Sequence, residues 1–380
     1  MPRRRSLLTA GLLLAQPCAT LFRAPPARAQ GAAWPRRLTD LAGRTITLPR
    51  PARALLLATG FDLVALSLLH PDPASLLAGW VDDLKRINTA LVDAFTARFP
   101  HLATVPLLGS AAQDSLSVEK ALSLGADLAL LPGWQAATPA GQALIHALEQ
   151  AGIPSLVLDF TQDPLGATPA SLRLLGQALG REEQAEAIAR FHEARRDAIL
   201  ERVAASGQPG PRVLLHAFAG SESCCWVWNQ SGLGSFVTRL GARNLGSDLL
   251  PAAGMGGMLH LETVLAEDPE VYITTGLPRY PVRLGPGLTR EEARASLATV
   301  LQAPPLSGLS AIHAGRAHAV WNHFNTVPLN ILAFEAMARW VRPGLFPDLD
   351  PADTLAEINQ RFAAMPLEGA WWVSLKPGIP

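Results

Sequence analysis

Three histidines, His313, His318 and His323, recur at intervals of five residues. Metal capture by neighbouring imidazoles needs them on one face, and a spacing of five is neither one helical face nor one side of a strand. A histidine metal cluster is therefore weakly supported, and only His323, in the loop after the last strand signal, is expected at a ligand cleft. Arg279 and Arg283 follow the strand end at Gly276, where guanidinium groups can meet the carboxylate or catecholate oxygens of an anionic chelate. Each reads equally as a solvated loop arginine. Tyr280 carries a phenol able to ligate ferric or haem iron, although an ordinary loop tyrosine is the plainer reading. The chain holds nine tryptophans against two tyrosines. Phe61, Trp80, Trp134, Trp226, Trp228 and Phe324 stand in punctuated stretches, several beside glycine, and such aromatics suit a wide, partly apolar ligand such as a metal chelate or tetrapyrrole. Core packing is as good a reading for any one of them. Cys224 and Cys225 are adjacent, and a trans peptide holds Cα atoms about 3.8 Å apart where bridges usually need about 4.4–6.8 Å. Two partly buried thiols are the favoured state, with a redox-active vicinal bridge as the alternative.

Two acids recur in matching surroundings. The segment from Ser117 to Leu128 aligns without gaps on His260 to Val271, pairing Glu119 with Glu262, and a glycine follows each glutamate by fourteen residues, at Gly133 and Gly276. The offset of 143 residues is too long for a solenoid repeat and is the size of a lobe. A glutamate near a helix start favours the positive end of the helix dipole, which is reason enough for either acid. Two equivalent acids, one per lobe, can equally project toward the cations of a two-fold symmetric partner.

These residues need a frame, and the hydrophobic pattern supplies one. Strand signals at Leu55–Ala58, Leu128–Leu131 and Ser155–Asp159 alternate with helical ones at Phe61–Leu69, Val118–Leu124 and Gly141–Ala151, which argues for a mostly parallel sheet with helices on both faces. No strand signal appears from Ser171 to Ser206. Gly180 ends one helix there, and a second runs from Arg181 to Ala205, long enough at about 1.5 Å per residue to cross between lobes. After the linker Gly207-Gln208-Pro209-Gly210-Pro211 the alternation restarts, with strands at Arg212–Ala217, Val271–Thr275 and Ala317–Trp321 and closing helices at Pro328–Val341 and Pro351–Phe362. The predicted organisation is an export segment at 1–29, an N-terminal α/β lobe at 30–167, a helical connector at 168–206 and a C-terminal α/β lobe at 207–380.

Composition narrows the function classes. With 32 basic and 32 acidic residues and only 17% charged, the chain lacks the basic excess of a nucleic-acid binder, and its 49% hydrophobic content excludes disorder. Residues 1–29 hold Arg3, Arg4, Arg5, Arg23 and Arg28 with no acid, around an apolar stretch too short to span a bilayer, and end in Ala27-Arg28-Ala29. This describes an export signal, twin-arginine-like at Arg4-Arg5-Ser6-Leu7-Leu8, with an ordinary secretory signal as the alternative. Without those five arginines, 27 basic residues face 32 acidic ones, a formal charge of −5. Cys18 is not a lipoprotein cysteine, because Pro17 precedes it where a small residue is needed.

Taken in order, these pieces resemble the iron-chelate and cobalamin class of periplasmic substrate-binding proteins that feed ABC importers. The resemblance covers most of the chain after the export segment: Leu41 to Pro49, Ser117 to Gly133, the long helix after Arg181, Leu240 to Gly246, Leu261 to Gly276, and Ala314 to Val320. It implies two α/β lobes joined by a single long interdomain helix, with the ligand in the cleft between lobes. It also implies a monomeric, non-enzymatic periplasmic carrier whose Glu119 and Glu262 dock onto arginines of an inner-membrane permease dimer with its ATPase. No bound cofactor is expected; the ligand is a metal chelate, ferric siderophore first, then cobalamin or haem.

Two other classes compete. An exported enzyme on a two-lobed scaffold would carry a motif, yet the sequence has no G-x-S-x-G elbow, P-loop, H-E-x-x-H or dinucleotide fingerprint. A sensory binding domain would keep the cleft without needing both docking acids.

Overall fold

The computed structural model describes residues 33–109, 117–221 and 224–378. The export segment expected at 1–29, with Cys18, lies outside the described residues. The chain enters through an antiparallel hairpin, β1 (Arg36–Thr39) and β2 (Thr45–Leu48). Its turn is closed by Asp40, whose carboxylate accepts from the backbone N–H of Ala42 and Arg44 at 3.0 and 2.8 Å.

The first lobe is a four-stranded, all-parallel sheet in the order β4–β3–β5–β6. Its strands are β3 (Leu55–Leu57), β4 (Leu77–Trp80), β5 (Leu128–Pro132) and β6 (Ser155–Leu158). The near-continuous leucine runs follow from burial on both faces. Around them lie α1 (Asp62–Leu69), α2 (Asp83–Ile87), α3 (Thr89–Arg98), α4 (Val118–Ser123), α5 (Gly133–Ala136) and α6 (Pro139–Gln150). In α6, Thr138 caps the Gly141 N–H at 3.0 Å, Pro139 opens the helix, and Leu144, Ile145 and Leu148 face inward.

Two helices then connect the lobes. α7 (Pro164–Leu179) ends at Gly180, whose φ of 66° only glycine adopts without strain, and α8 (Glu182–Ser206) runs for 25 residues. They pack so closely that a Cβ on Gly176 would sit 2.2 Å from that of Ala185. Arg173 of α7 ties the pair outside, with bonds of 2.6 Å to both Glu186 and Glu193. α8 touches α1 in the first lobe and helix Asn330–Val341 in the second. At that junction His192 bonds Asn330 Oδ1 at 2.7 Å, and Asn330 donates to Thr168 of α7 at 2.7 Å, all three buried.

The second lobe has a seven-stranded sheet in the order β10–β8–β7–β11–β12–β13, with β9 also pairing β7. The strands are β7 (Arg212–His216), β8 (Trp226–Trp228), β9 (Arg243–Asn244), β10 (Gly256–Met258), β11 (Val271–Gly276), β12 (Ala317–Trp321) and β13 (Trp372–Ser374). β7, β9, β11 and β12 are parallel, whereas β8, β10 and β13 pair antiparallel, so this sheet is mixed. Leading into β8, Cys224 and Cys225 form a vicinal disulfide. The sequence favoured two thiols, with this bridge as the alternative.

The aligned segments share conformation as well as sequence. Glu119 and Glu262 each lie in the first turn of a short helix, α4 and Leu261–Glu267, and both are exposed. Two residues on, Ala121 and Val264 are fully buried; three residues on, Leu122 and Leu265 are 47% and 40% exposed. Each helix is then followed by a left-handed residue at the same aligned position, Gly125 (φ 64°) and Asp268 (φ 39°). Asp268 holds that turn with its carboxylate bonded to Ser310 N–H and Oγ at 2.9 and 2.6 Å. Among the described residues, no helix is long and apolar enough to cross a membrane.

Candidate ligand-binding site

All four strands of the first sheet end at one cavity of about 190 Å³. β3 delivers Thr59, Phe61 and Asp62; β4 leads to Asp83, Arg86 and Ile87; β5 to Pro132 and Trp134; β6 to Leu158, Phe160 and Thr161. The second lobe closes it with His323 and Thr326, from the turn after β12. Carboxyl ends of parallel strands are where open α/β sheets bind ligands, because the loops there are free of ladder hydrogen bonds.

The two acids of the floor differ in wiring. Asp83 accepts from Thr59 Oγ1 at 2.6 Å and from the N–H of Gly60 and Leu84 at 2.7 and 2.8 Å. Gly60 permits this approach, since a Cβ there would stand 2.8 Å from Asp83 Oδ1 and 2.9 Å from Leu84 Cβ. Burial raises the Asp83 pKa, and the three donors oppose that rise. Asp62 is also buried, and its Oδ2 has no hydrogen-bond partner. Burial first, and the neighbouring Asp83 charge second, push its pKa up to about 8, so it is largely protonated at neutral pH. Arg86 stands exposed at the rim.

The lobes meet at an aromatic pair. The ring of His323 stacks on Phe61 with centroids 4.0 Å apart and planes 23° apart, and Trp321 packs edge-on to His323 at 5.5 Å. His323 Nδ1 lies 3.2 Å from Thr326 Oγ1, and Nε2 is buried without a partner. Enclosure lowers its pKa to about 3, leaving a neutral imidazole. The cavity therefore offers aromatic walls, a protonated carboxyl, an uncharged histidine and one cationic rim residue.

Phe61, Trp134 and His323 thus come together at the cavity, and Trp134 is 38% exposed there. Trp80 is buried directly behind, its ring 3.2 Å from where a Cβ on Gly60 would stand. Phe324 is wholly inside the second lobe against Trp321 and Trp371. Both rings are core, as their large apolar surfaces require. Trp226 and Trp228 form an edge-to-face pair on β8, 5.3 Å apart, and do not line the cavity. Tyr280 is 39% exposed and packs on Phe218, whereas Arg279 reaches across to Thr89 of α3 at 2.9 Å. Arg283 stands near Glu292 at 4.0 Å. Of the remaining spaced histidines, His318 is buried against Trp340 and Ser374, and His313 is exposed.

Sequence reasoning missed Asp62, Asp83, Arg86 and Thr326. Asp82-Asp83 after Gly79-Trp80 reads as turn punctuation. Its one usable signal is an acid pair just past a strand end.

Comparison with known proteins agrees with this architecture. No family model matches the sequence, and neither does any curated protein. Among solved structures, the chain is similar to a TroA-like periplasmic binding protein, FepB, from Veillonella parvula, with 25% identity, a TM-score of 0.79, and coverage of 90% of this chain and 100% of that one. A Haemophilus influenzae molybdate periplasmic binding protein, MolA, shares the fold at 14% identity and TM-score 0.63, covering 88% and 99% of the two chains. A periplasmic heme-binding protein from Pseudomonas aeruginosa does so at 21% identity and TM-score 0.52, covering 86% and 98%. With two α/β lobes, a long connecting helix and a cleft at the strand ends, the chain has the fold of the TroA-like periplasmic solute-binding proteins.

Proposed function

We propose that the cleft captures an anionic metal chelate, an iron–siderophore complex first, rather than a bare ion. The observation that carries this reading is the character of the cavity: aromatic walls at Phe61, Trp134 and Phe160, with Arg86 as the rim cation. Among the described residues, no three cavity side chains bring metal-ligating atoms together, as a bare transition ion would need. The metal then arrives with its own ligands, and the protein recognises their periphery. Arg86 meets carboxylate or catecholate oxygens, and the protonated Asp62 donates a hydrogen bond. Sites for drug-sized ligands occupy roughly 300–1,000 Å³, so about 190 Å³ takes one arm or edge of the chelate and leaves the rest at the mouth of the cleft.

Haem is the second reading, because the unpartnered Nε2 of His323 is a potential axial ligand. Cobalamin is the third. Native mass spectrometry and tryptophan quenching against a ferric catecholate siderophore, haem and cobalamin separate the three, with Trp134 as the reporter. The reading expects one ferric siderophore per chain and quenching that is lost in Trp134→Phe. Failure to bind any chelate refutes the ligand class and leaves the fold standing.

For delivery, we propose that Glu119 and Glu262 contact cations on the two permease subunits. Their equivalent, exposed positions support this. So do Leu122 and Leu265, one turn on and therefore on the same helix face. Each lobe would offer one charge and one apolar contact to a two-fold receptor.

A further inference from the structure

His216, Cys224 and Cys225 form a cluster that ligand delivery does not use. His216 ends β7, and the two cysteines lead into β8, its antiparallel neighbour, where His216 pairs with Val227. A ring nitrogen of His216 and both Sγ atoms lie within 4.8 Å of one another. This is the one group of three metal-ligating side chains among the described residues, and none of it lines the cavity.

The surroundings hold these groups in place. His216 is 3% exposed, and its Nδ1 bonds the hydroxyl of Tyr272 on β11 at 2.7 Å. Cys225 is fully buried, and its N–H and C=O both pair with Leu259 at 2.9 Å. Cys224 is partly buried. In the tautomer whose Nδ1–H donates to the Tyr272 oxygen, the imidazole keeps Nε2 as a lone-pair donor. Such outer hydrogen bonds fix the ring of a ligating histidine.

We propose that, once the disulfide is reduced, this cluster is a site for one thiophilic divalent cation of the zinc kind, held by both cysteine thiolates and His216. Two sulfurs and one nitrogen are a donor set zinc favours, with a fourth position left for water. Two thiolates also cancel the charge of a divalent ion, as a largely buried site requires. The reductant is a small dithiol. It passes two electrons and two protons to the Cys224–Cys225 bond, giving two thiols, and itself becomes a cyclic disulfide. The cation then displaces the two thiol protons to solvent. A small-molecule disulfide restores the bridge in the emptied site by taking the two electrons and two protons of the thiols and leaving as two thiols, so occupancy follows the redox state of the pair.

The test uses the whole exported protein, reduced with dithiothreitol, freed of it without air, and titrated with Co²⁺ and then Zn²⁺. Reduced protein is expected to take up one Co²⁺ per chain with a thiolate-to-cobalt charge-transfer band, which Zn²⁺ abolishes. The disulfide form gives no band. His216→Gln is expected to weaken Co²⁺ binding about tenfold or more, and Cys224→Ser to remove most of the band. One equivalent of Zn²⁺ should protect both thiols from alkylation. Cys225 is buried and its variants are at risk of misfolding, so the comparison of oxidised and reduced wild-type protein carries the test by itself. The same Co²⁺ uptake in both redox forms, no thiolate band in the reduced form, or an unchanged affinity in His216→Gln overturns the proposal.

Discussion

Replacing Asp62 by asparagine tests the electrostatic reading of the cleft floor. Burial lifts the Asp62 pKa from an ordinary 3.8 to about 8, with the Asp83 charge adding to the rise. The folded protein therefore holds a proton that the unfolded chain releases near pH 4. The stability contributed by this proton is fully present below the unfolded value and is lost as pH rises through about 8, at up to about 1.4 kcal/mol per pH unit. Over the whole window the loss approaches about 6 kcal/mol, and between pH 6.5 and 8 it is about 2 kcal/mol. The substituted amide keeps the shape of the carboxyl and does not titrate. Asp82, Asp83, Arg86 and His323 surround the site and are common to both proteins. His192, His216, His318 and His323 have pKa values lowered by burial and so favour folding less as pH falls below 6.5. Glu335, raised to about 7, destabilises with rising pH as Asp62 does. All of these cancel in the difference between the two proteins. Urea unfolding followed by tryptophan fluorescence should show Asp62→Asn gaining about 2 kcal/mol on wild type between pH 6.5 and 8. A difference that stays constant within about 0.5 kcal/mol over that range would refute a raised Asp62 pKa.

Two other predictions concern the proposed docking face and the connector. Leu122→Ala and Leu265→Ala should leave unfolding midpoints unchanged, because both side chains are substantially exposed. Burying one leucine is worth about 1.5–3 kcal/mol, so each change should weaken productive contact with the permease about tenfold. Equal transport at limiting carrier concentration would show that these leucines stay in water. Asn330→Ala orphans buried His192 and Thr168 where α7, α8 and helix Asn330–Val341 meet. A loss of about 2–4 kcal/mol in urea unfolding is expected from two broken buried bonds, and a loss under about 0.5 kcal/mol would deny the junction its role.

The lobes were legible because their strands are short apolar runs between glycine and proline punctuation. Ala317–Trp321 is the same in sequence and structure, and the long helix differs by one residue at each end. The Glu119 and Glu262 segments carried their repeat in the residues themselves, down to a left-handed turn that sequence alone leaves unmarked at Asp268. The antiparallel strands β8, β10 and β13 escaped because two or three residues pair by register with distant partners, which leaves no local period. α3 and helix Arg290–Gln302 also went unread. In the cleft, Phe61, Trp134 and His323 stood out as aromatic or titratable residues beside loops. Asp62, Asp83 and Arg86 did not, because their importance comes from burial and convergence across four strand ends. Trp80 and Phe324 show the converse: an aromatic beside a loop in sequence can still be core.

The proposed carrier role is tested most directly by reversing both proposed docking charges, Glu119→Arg with Glu262→Arg, and measuring ligand uptake through the importer alongside ligand affinity in solution. Both side chains are exposed and stand apart from the cavity, so folding and ligand binding should be untouched while uptake falls to background. Full uptake by the doubly reversed protein, with normal affinity, would contradict the account.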